Sequence, residues 1–435
     1  MDPLSLKIYS SKDTPRLNYI AGLILGDILG LSWEITTDRR KLGKHPVINY
    51  SSVIIKGSFR IDPVSILFET GTCQQEIIMS EWKSLPVFFL TPPGSDIPFD
   101  IFAASFFLVS RYEEYLQFQA DQYGRYTPLS SAAFRNGFLD KPVVDLWVKE
   151  FAKALLKMYP MLVFKRIEYN SLLTIDTDQA FAYRGKNVFR SVGGFFRDIT
   201  LKTGKAGERY QVVAKGKKDP FEVFEYIIEN IERNNTEARF FFPVGDYSRY
   251  DKNPSWKNEE YRKLIKMIAG RYMIGLHPSF RAADSSSLIT SELNRLKSVV
   301  KKDILISRFH YLRLFTPRSY RYLTDAGISG DFTMGYPDEP GFRAGIARPY
   351  FFYDVEEDRQ TSLKIVPFQV MDCTLYQYKN LNPDHSLEVI NKLVSETRKA
   401  GGLFVSIWHN TSLLADVQWS AWREVFQSML QIQKQ

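Results

Sequence analysis

The chain has 435 residues, 44% hydrophobic and 24% charged, which is the balance of ordinary globular domains and excludes a disordered or fibrous chain. Its two cysteines, Cys73 and Cys373, are far apart with no CxxC pair, so neither a disulfide framework nor a cysteine-based zinc site is readable. The net charge of +8 sits in one segment, 184–218, where Arg184, Lys186, Arg190, Arg197, Lys202, Lys205, Arg209, Lys215, Lys217 and Lys218 face only Asp198 and Glu208. Interspersed glycines make that segment read as an exposed, irregular connection. The alternative is a landing site for an acidic glycan, a phosphorylated carrier or an anionic lipid surface. No nucleic-acid motif accompanies it.

In chain order, Met1-Asp2-Pro3 and the polar residues after it lack a secretory pattern. The apolar run Leu17–Leu31 is interrupted by Asn18 and Asp27 and is short for a membrane span, so a core helix near 15–30 is expected, and with it a cytoplasmic protein. Strand-like runs follow at Val53–Ile55 and Pro86–Leu90, then a helix around 100–116. A further helix at 143–158 has Val144, Trp147, Val148, Phe151, Ala154 and Leu155 at a helical period. Residues 1–165 thus read as an N-terminal α+β domain.

From 170 onward, short apolar strands alternate with helical periods. Strands are expected at 171–176, 238–243, 273–277, 306–310, 328–333, 365–370 and 403–409. Helices are expected at about 257–269, 286–300, 385–400 and 417–432, with another opened by Asp219-Pro220 and Glu222 as cap and capping-box acid. Such alternation means parallel strands with right-handed crossovers, so residues 166–435 read as a (β/α) barrel or a distorted relative.

Chemistry in parallel barrels gathers at the carboxyl ends of the strands. Asp176 and Asp178 lie two apart at the end of an apolar strand and face one side. His277, Arg308, His310, Asp331, Asp372 and His409 occupy the ends of later strands. Buried carboxylates need a metal, a proton or a donor, and imidazole with carboxylate suits zinc or another divalent transition metal. Asp178 and His277 are the first choices as ligands, Asp176 as the base that takes a proton from water, His409 as the acid, and Arg308 as the group orienting Asp176. His45 and His385 are given no chemistry.

Thr174-Ile-Asp-Thr-Asp178, Ile274-Gly-Leu-His277-Pro-Ser, Arg308-Phe-His310 and Ile407-Trp-His409-Asn410 resemble the motifs of polysaccharide deacetylases of the NodB type, carbohydrate esterase family 4. Phe99–Tyr115, Arg308–Arg313, Asp331–Tyr336, Gly341–Gly345 and Trp408–Asn410 are similar to a bacterial polysaccharide deacetylase-like subfamily with its own N-terminal domain. The resemblance implies a distorted (β/α)7 barrel and a metal-dependent hydrolase that removes acetyl groups from N-acetylated sugars of a cell-envelope glycan or its precursor. It places Asp176 as base, Asp178 and His277 as metal ligands, and His409 as acid. The usual second histidine ligand falls at Arg281, which cannot bind a cation. Either His310 is the third ligand, or no catalytic metal binds and the protein is an inactive carbohydrate-binding or scaffold relative. Arg313, Asp331, Tyr336, Arg343, Asp372 and Trp408 are candidate substrate contacts; Arg308, Arg313 and Arg343 either recognise an anion or pair with Asp331, Asp338 and Asp372.

Overall fold

The computed structural model describes residues 5–183, 210–212, 214–215, 217 and 219–434. Of the ten cations of the basic segment only Lys215 and Lys217 are among them, and the reading of the other cations lies outside the described residues.

The N-terminal half is built on a four-stranded parallel sheet: β1 (Leu6–Ser10), β2 (Trp33–Thr36), β3 (Val47–Tyr50) and β4 (Phe59–Arg60), in the order β2-β1-β3-β4. Between β1 and β2 runs α1 (Pro15–Ala21), capped by Thr14, with proline in its first turn. It continues in wider π-type turns over Gly22–Ile28. The expected core helix is present, and its apolar face is buried. Helix α2 (Ile101–Val109) is capped by the buried Asp100 and buried all round, while α3 (Val143–Met158) buries one amphipathic face. Two readings are corrected. Val53–Ile55 is no strand, and Val53 and Ile54 are exposed in the turn after β3. The helix expected over 100–116 ends near Ser110, because Arg111 adopts a left-handed conformation (φ 54°) and a separate 3-10 turn, Tyr112–Tyr115, follows.

The larger α/β half contains β5 (Asn170–Asp176), α4 (Phe224–Arg233), β6 (Ala238–Phe242), α5 (Glu259–Ala269), β7 (Met273–Leu276), α6 (Ser286–Val300), β8 (Ile306–Ser307) and α7 (Arg318–Asp325). It continues through β9 (Gly330–Asp331), β10 (Tyr350–Asp354), β11 (Arg359–Ile365), β12 (Val370–Met371), α8 (Pro383–Ala400), β13 (Leu403–His409) and α9 (Val417–Ile432). The strands form one nine-stranded sheet in the order β10-β11-β9-β8-β7-β6-β5-β13-β12. Every pairing is parallel except β10 with β11, an antiparallel hairpin that the strand–helix reading missed. Helix α4 begins at Phe224, later than expected; Asp219 instead accepts from the backbone N–H groups of Ala182, Tyr183 and Phe221.

One continuous segment, 359–371, touches both flanks of this sheet. Its β11 part pairs with β9, Phe368 N–H donates to Met334 O, Gln369 N–H donates to Val405 O, and β12 pairs with β13. A separate apolar cluster takes Leu172, Phe241, Ile306, Phe332, Val366, Phe368, Met371, Val405 and Ile407 from these strands and the residues that follow them. Gly275 of β7 faces the same interior; a Cβ there would lie 2.6 Å from the Phe241 ring and 2.9 Å from Ile306 Cγ1. No helix of the described residues is long and apolar enough to cross a membrane.

Candidate functional site

The β5 register sets the site. Asp176 lies opposite His409 on β13 and Phe241 on β6, so the exits of three adjacent strands share one end. Asp176 is 2% exposed. Its Oδ1 accepts a 2.7 Å hydrogen bond from Arg308 Nη1, and the same guanidinium donates to Thr174 Oγ1 (2.8 Å) and Phe332 O (3.0 Å) while lying against the Phe241 ring. A fully buried Arg308 is thereby satisfied on every side that matters to its charge. Asp176 Oδ2 remains 4.0 Å from His277 Nε2.

Asp178, His277 and His310 converge. His277 Nε2 lies 3.2 Å from Asp178 Oδ1, and His310 Nε2 lies 3.4 Å from Asp178 Oδ2. Each imidazole is anchored through its other nitrogen: His277 Nδ1 donates to Arg308 O (2.5 Å) and His310 Nδ1 bonds Asp251 Oδ1 (2.8 Å). A carbonyl can only accept, so the His277 proton sits on Nδ1 and the Nε2 lone pair faces the carboxylate unless the ring is charged. Asp178 Oδ1 is buried and has no hydrogen-bond partner. Lone pair against carboxylate calls for a cation between them, and two anchored imidazoles with a carboxylate are a donor set for zinc or a similar divalent ion. Burial opposes charging His310, but the Asp178 and Asp251 carboxylates outweigh it and push its pKa up to about 9. Burial likewise opposes ionising Asp178, and His310, His409 and His277 override it, holding that carboxyl well below its usual range. A bound metal would take the place of these protons.

Facing the cluster is His409. Its Nδ1 bonds Asp372 Oδ1 (2.7 Å), its backbone N–H donates to Asp372 Oδ2 (2.8 Å), and Nε2 lies 3.7 Å from Asp178 Oδ2. Ser412 Oγ also donates to Asp372. Burial favours the neutral ring, yet Cys373, Asp372 and Asp178 hold His409 well above the ordinary histidine range. Asp372, Cys373 and His409 form a second group with ligand atoms close together, but His409 Nδ1 is already turned to Asp372.

Asp176, Asp178, His277, His310 and His409 line one pocket of roughly 230 Å³. Arg281 is exposed on the turn Phe280–Asp284, so the expectation that it stands in for a ligand or neutralises the acids is corrected: the cluster is complete through His310, and the guanidinium beside Asp176 is that of Arg308. The remaining candidates lie elsewhere. Arg313 pairs with Asp284 and donates to Tyr123 O and Phe280 O. Arg343 is buried against Glu114, and Tyr336 accepts from Arg111, both between the two halves of the chain. Neither arginine takes the carboxylate partners expected from sequence. Asp331 is buried with Ser307 and Thr333, and Trp408 donates to Met429 Sδ in the helix layer. The pocket walls instead include Arg125, Tyr250, Lys252, Tyr311, Gln377 and Tyr378, which sequence reasoning did not single out. Only Tyr311 carried a signal, as the residue after His310.

Residues 6–160 match the model of a family of unknown function (DUF7033). No curated protein matches the chain. Among solved structures, a candidate polysaccharide deacetylase from Mycobacterium smegmatis is 15% identical, covering 62% of this chain and 86% of that one with a TM-score of 0.40. The polysaccharide deacetylase from Bacillus cereus is 10% identical over 62% of this chain and 88% of its own, TM-score 0.31. A CE4 family pseudoenzyme from Bacillus anthracis is 12% identical over 61% of each chain, TM-score 0.31. These matches are distant and partial.

Proposed function

We propose that the chain is a metal-dependent hydrolase that removes an acetyl group from an N-acetylated sugar of a cell-envelope glycan, or of its cytoplasmic precursor. The observation that carries this is the opposition, across one pocket, of an Asp178–His277–His310 donor set to the His409–Asp372 pair, with Asp176 between them. Asp178, His277 and His310 would hold a divalent ion, which when bound would supply Lewis acidity toward the acetamide carbonyl and acidify a water. Asp176 accepts the proton of the attacking water on Oδ2 while Arg308 fixes its Oδ1. His409, oriented by Asp372 at Nδ1, donates from Nε2 to the departing amine. The fold we propose is a distorted (β/α)7 barrel formed by residues 166–435, with residues 1–165 as a separate domain. The bonds of segment 359–371 to both β9 and β13, and the interior cluster those strands share, support closure.

The inactive-relative reading was favoured by Arg281 in place of a ligand; the convergence of His310 with Asp178 and His277 supports the active reading instead. The test is deacetylation of N-acetylglucosamine oligosaccharides by the zinc-loaded protein. Asp176→Asn is expected to keep the metal and lose about 10²-fold or more in kcat. Wild-type protein with zinc but no acetate release, or an Asp176→Asn variant at full rate, overturns the reading.

A further inference from the structure

The wall that the N-terminal half lends to the metal pocket is a tight hairpin. Ala120 and Tyr126 form an antiparallel bridge, and Asp121 Oδ1 accepts from the backbone N–H groups of Tyr123 and Arg125. Neighbouring side chains on an extended chain take opposite faces. Accordingly Arg125 lines the metal pocket, while Tyr126 lines a second groove of roughly 590 Å³. No residue of that groove is a candidate ligand, acid or base of the metal site.

The groove is rich in neutral amides from three separate stretches: Gln74 and Gln75, Gln117 and Gln119, and Asn136. Gln74, Gln117 and Gln119 are exposed, and their side chains have no hydrogen-bond partner among the described residues. Phe118 presents a half-buried ring, 4.9 Å from that of Tyr126. Tyr126 is 3% exposed, yet its hydroxyl has no hydrogen-bond partner. Leaving such a group unpaired is unfavourable, and a ligand that bonds it relieves the cost. The one carboxylate in the lining, Glu113, is engaged by Arg111 and by the Ala132 N–H. The exposed Arg135 also lines the groove, so a ligand here meets amides, an aromatic ring, a hydroxyl and a guanidinium.

We propose that this groove is a second glycan-binding site that takes a hydroxyl-rich saccharide, one hairpin away from the metal centre. A carboxamide is both donor and acceptor, as is each sugar hydroxyl, so the two match in any register. The ring of Phe118 suits the C–H face of a pyranose. That one glycan chain serves both sites rests on the deacetylase reading; binding in the groove does not.

The probe is the series of N-acetylglucosamine oligosaccharides from dimer to hexamer. Calorimetric titration of zinc-loaded Asp176→Asn protein is expected to show the hexamer binding at least about tenfold more tightly than the dimer. The double variant Gln117→Ala/Gln119→Ala should remove that gain and leave the dimer unaffected, and Tyr126→Phe should reduce it. In the wild-type background the double variant should lower kcat/KM for the hexamer about tenfold and not for the dimer. Affinity independent of length, absence of hexamer binding, or unchanged hexamer affinity in the double variant overturns the proposal. Hexamer binding lost with the glutamines but no acetate release by wild type sinks the deacetylase reading alone. Acetate release without length dependence sinks the groove alone.

Discussion

The acid role proposed for His409 depends on Asp372, which holds both its ring and its backbone N–H. Asp372→Asn is expected to leave the fold intact and lower the deacetylation rate by about 10²–10⁴-fold, with the alkaline-limb pKa of the rate profile, set by the proposed acid His409, falling; steady-state kinetics from pH 5 to 10 check both. A second buried carboxyl gives a stability signature. Glu292 accepts from Ser279 N–H and Oγ, but burial dominates and, with Asp251 adding to it, pushes its pKa up to about 7. A carboxyl raised on folding contributes stability that is full below its unfolded value of 4.5 and is lost as pH rises through about 7. Urea unfolding at pH 5 and pH 8 should therefore show the wild type losing about 3 kcal/mol more than Glu292→Gln over that interval. At this scale the sequence was most informative where a carboxylate or histidine ended an apolar strand, as at Asp176, Asp178, His277 and His409. It was silent on Asp251, which anchors His310 from an irregular loop with no period to mark it. It also could not separate buried Arg343 from a ligand-binding arginine, since the partner, Glu114, is far away in the chain.

The strands show how pattern succeeds and fails. β5, β6 and β13 emerged from sequence because they are apolar, bounded and buried on both faces, as parallel strands are. β8 and β9 shrink to two residues each because the chain turns away at once to place Arg308, His310 and Thr333. The β10–β11 hairpin was hidden by mixed burial on β11, whose first four residues are largely outside the core. Close approach at β7 is the tightest element-level constraint. Gly275→Ala would push a methyl into Phe241 and Ile306, and we expect a loss of about 1–3 kcal/mol in denaturant unfolding. The turn bearing His310 has its own clamp: Arg125 Nη1 donates 2.7 Å to Tyr311 O, and Tyr311 sits at φ 59°. Arg125→Ala should weaken zinc affinity by about tenfold, read by competition with a chromogenic chelator, as expected for a lost support of a ligand.

Across the molecule, the two halves are tied by buried charge. Glu114 binds Arg111 and Arg343, and Arg111 reaches Arg343 O and Tyr336 OH. Glu114→Ala would leave the buried Arg343 without a carboxylate partner and Arg111 with Glu113 alone, and should cost about 3–5 kcal/mol, measured by chemical denaturation. The Arg111–Tyr115 run makes these ties, and the hairpin of residues 120–126 beside it supplies a wall of the pocket. The central claim is that one divalent ion is held by Asp178, His277 and His310. Anomalous diffraction at the zinc edge from crystals of zinc-loaded protein tests it most directly. The account predicts one peak within about 2.0–2.2 Å of an Asp178 oxygen and the Nε2 atoms of His277 and His310. A peak at Asp372, Cys373 and His409 instead, or no peak, would contradict it.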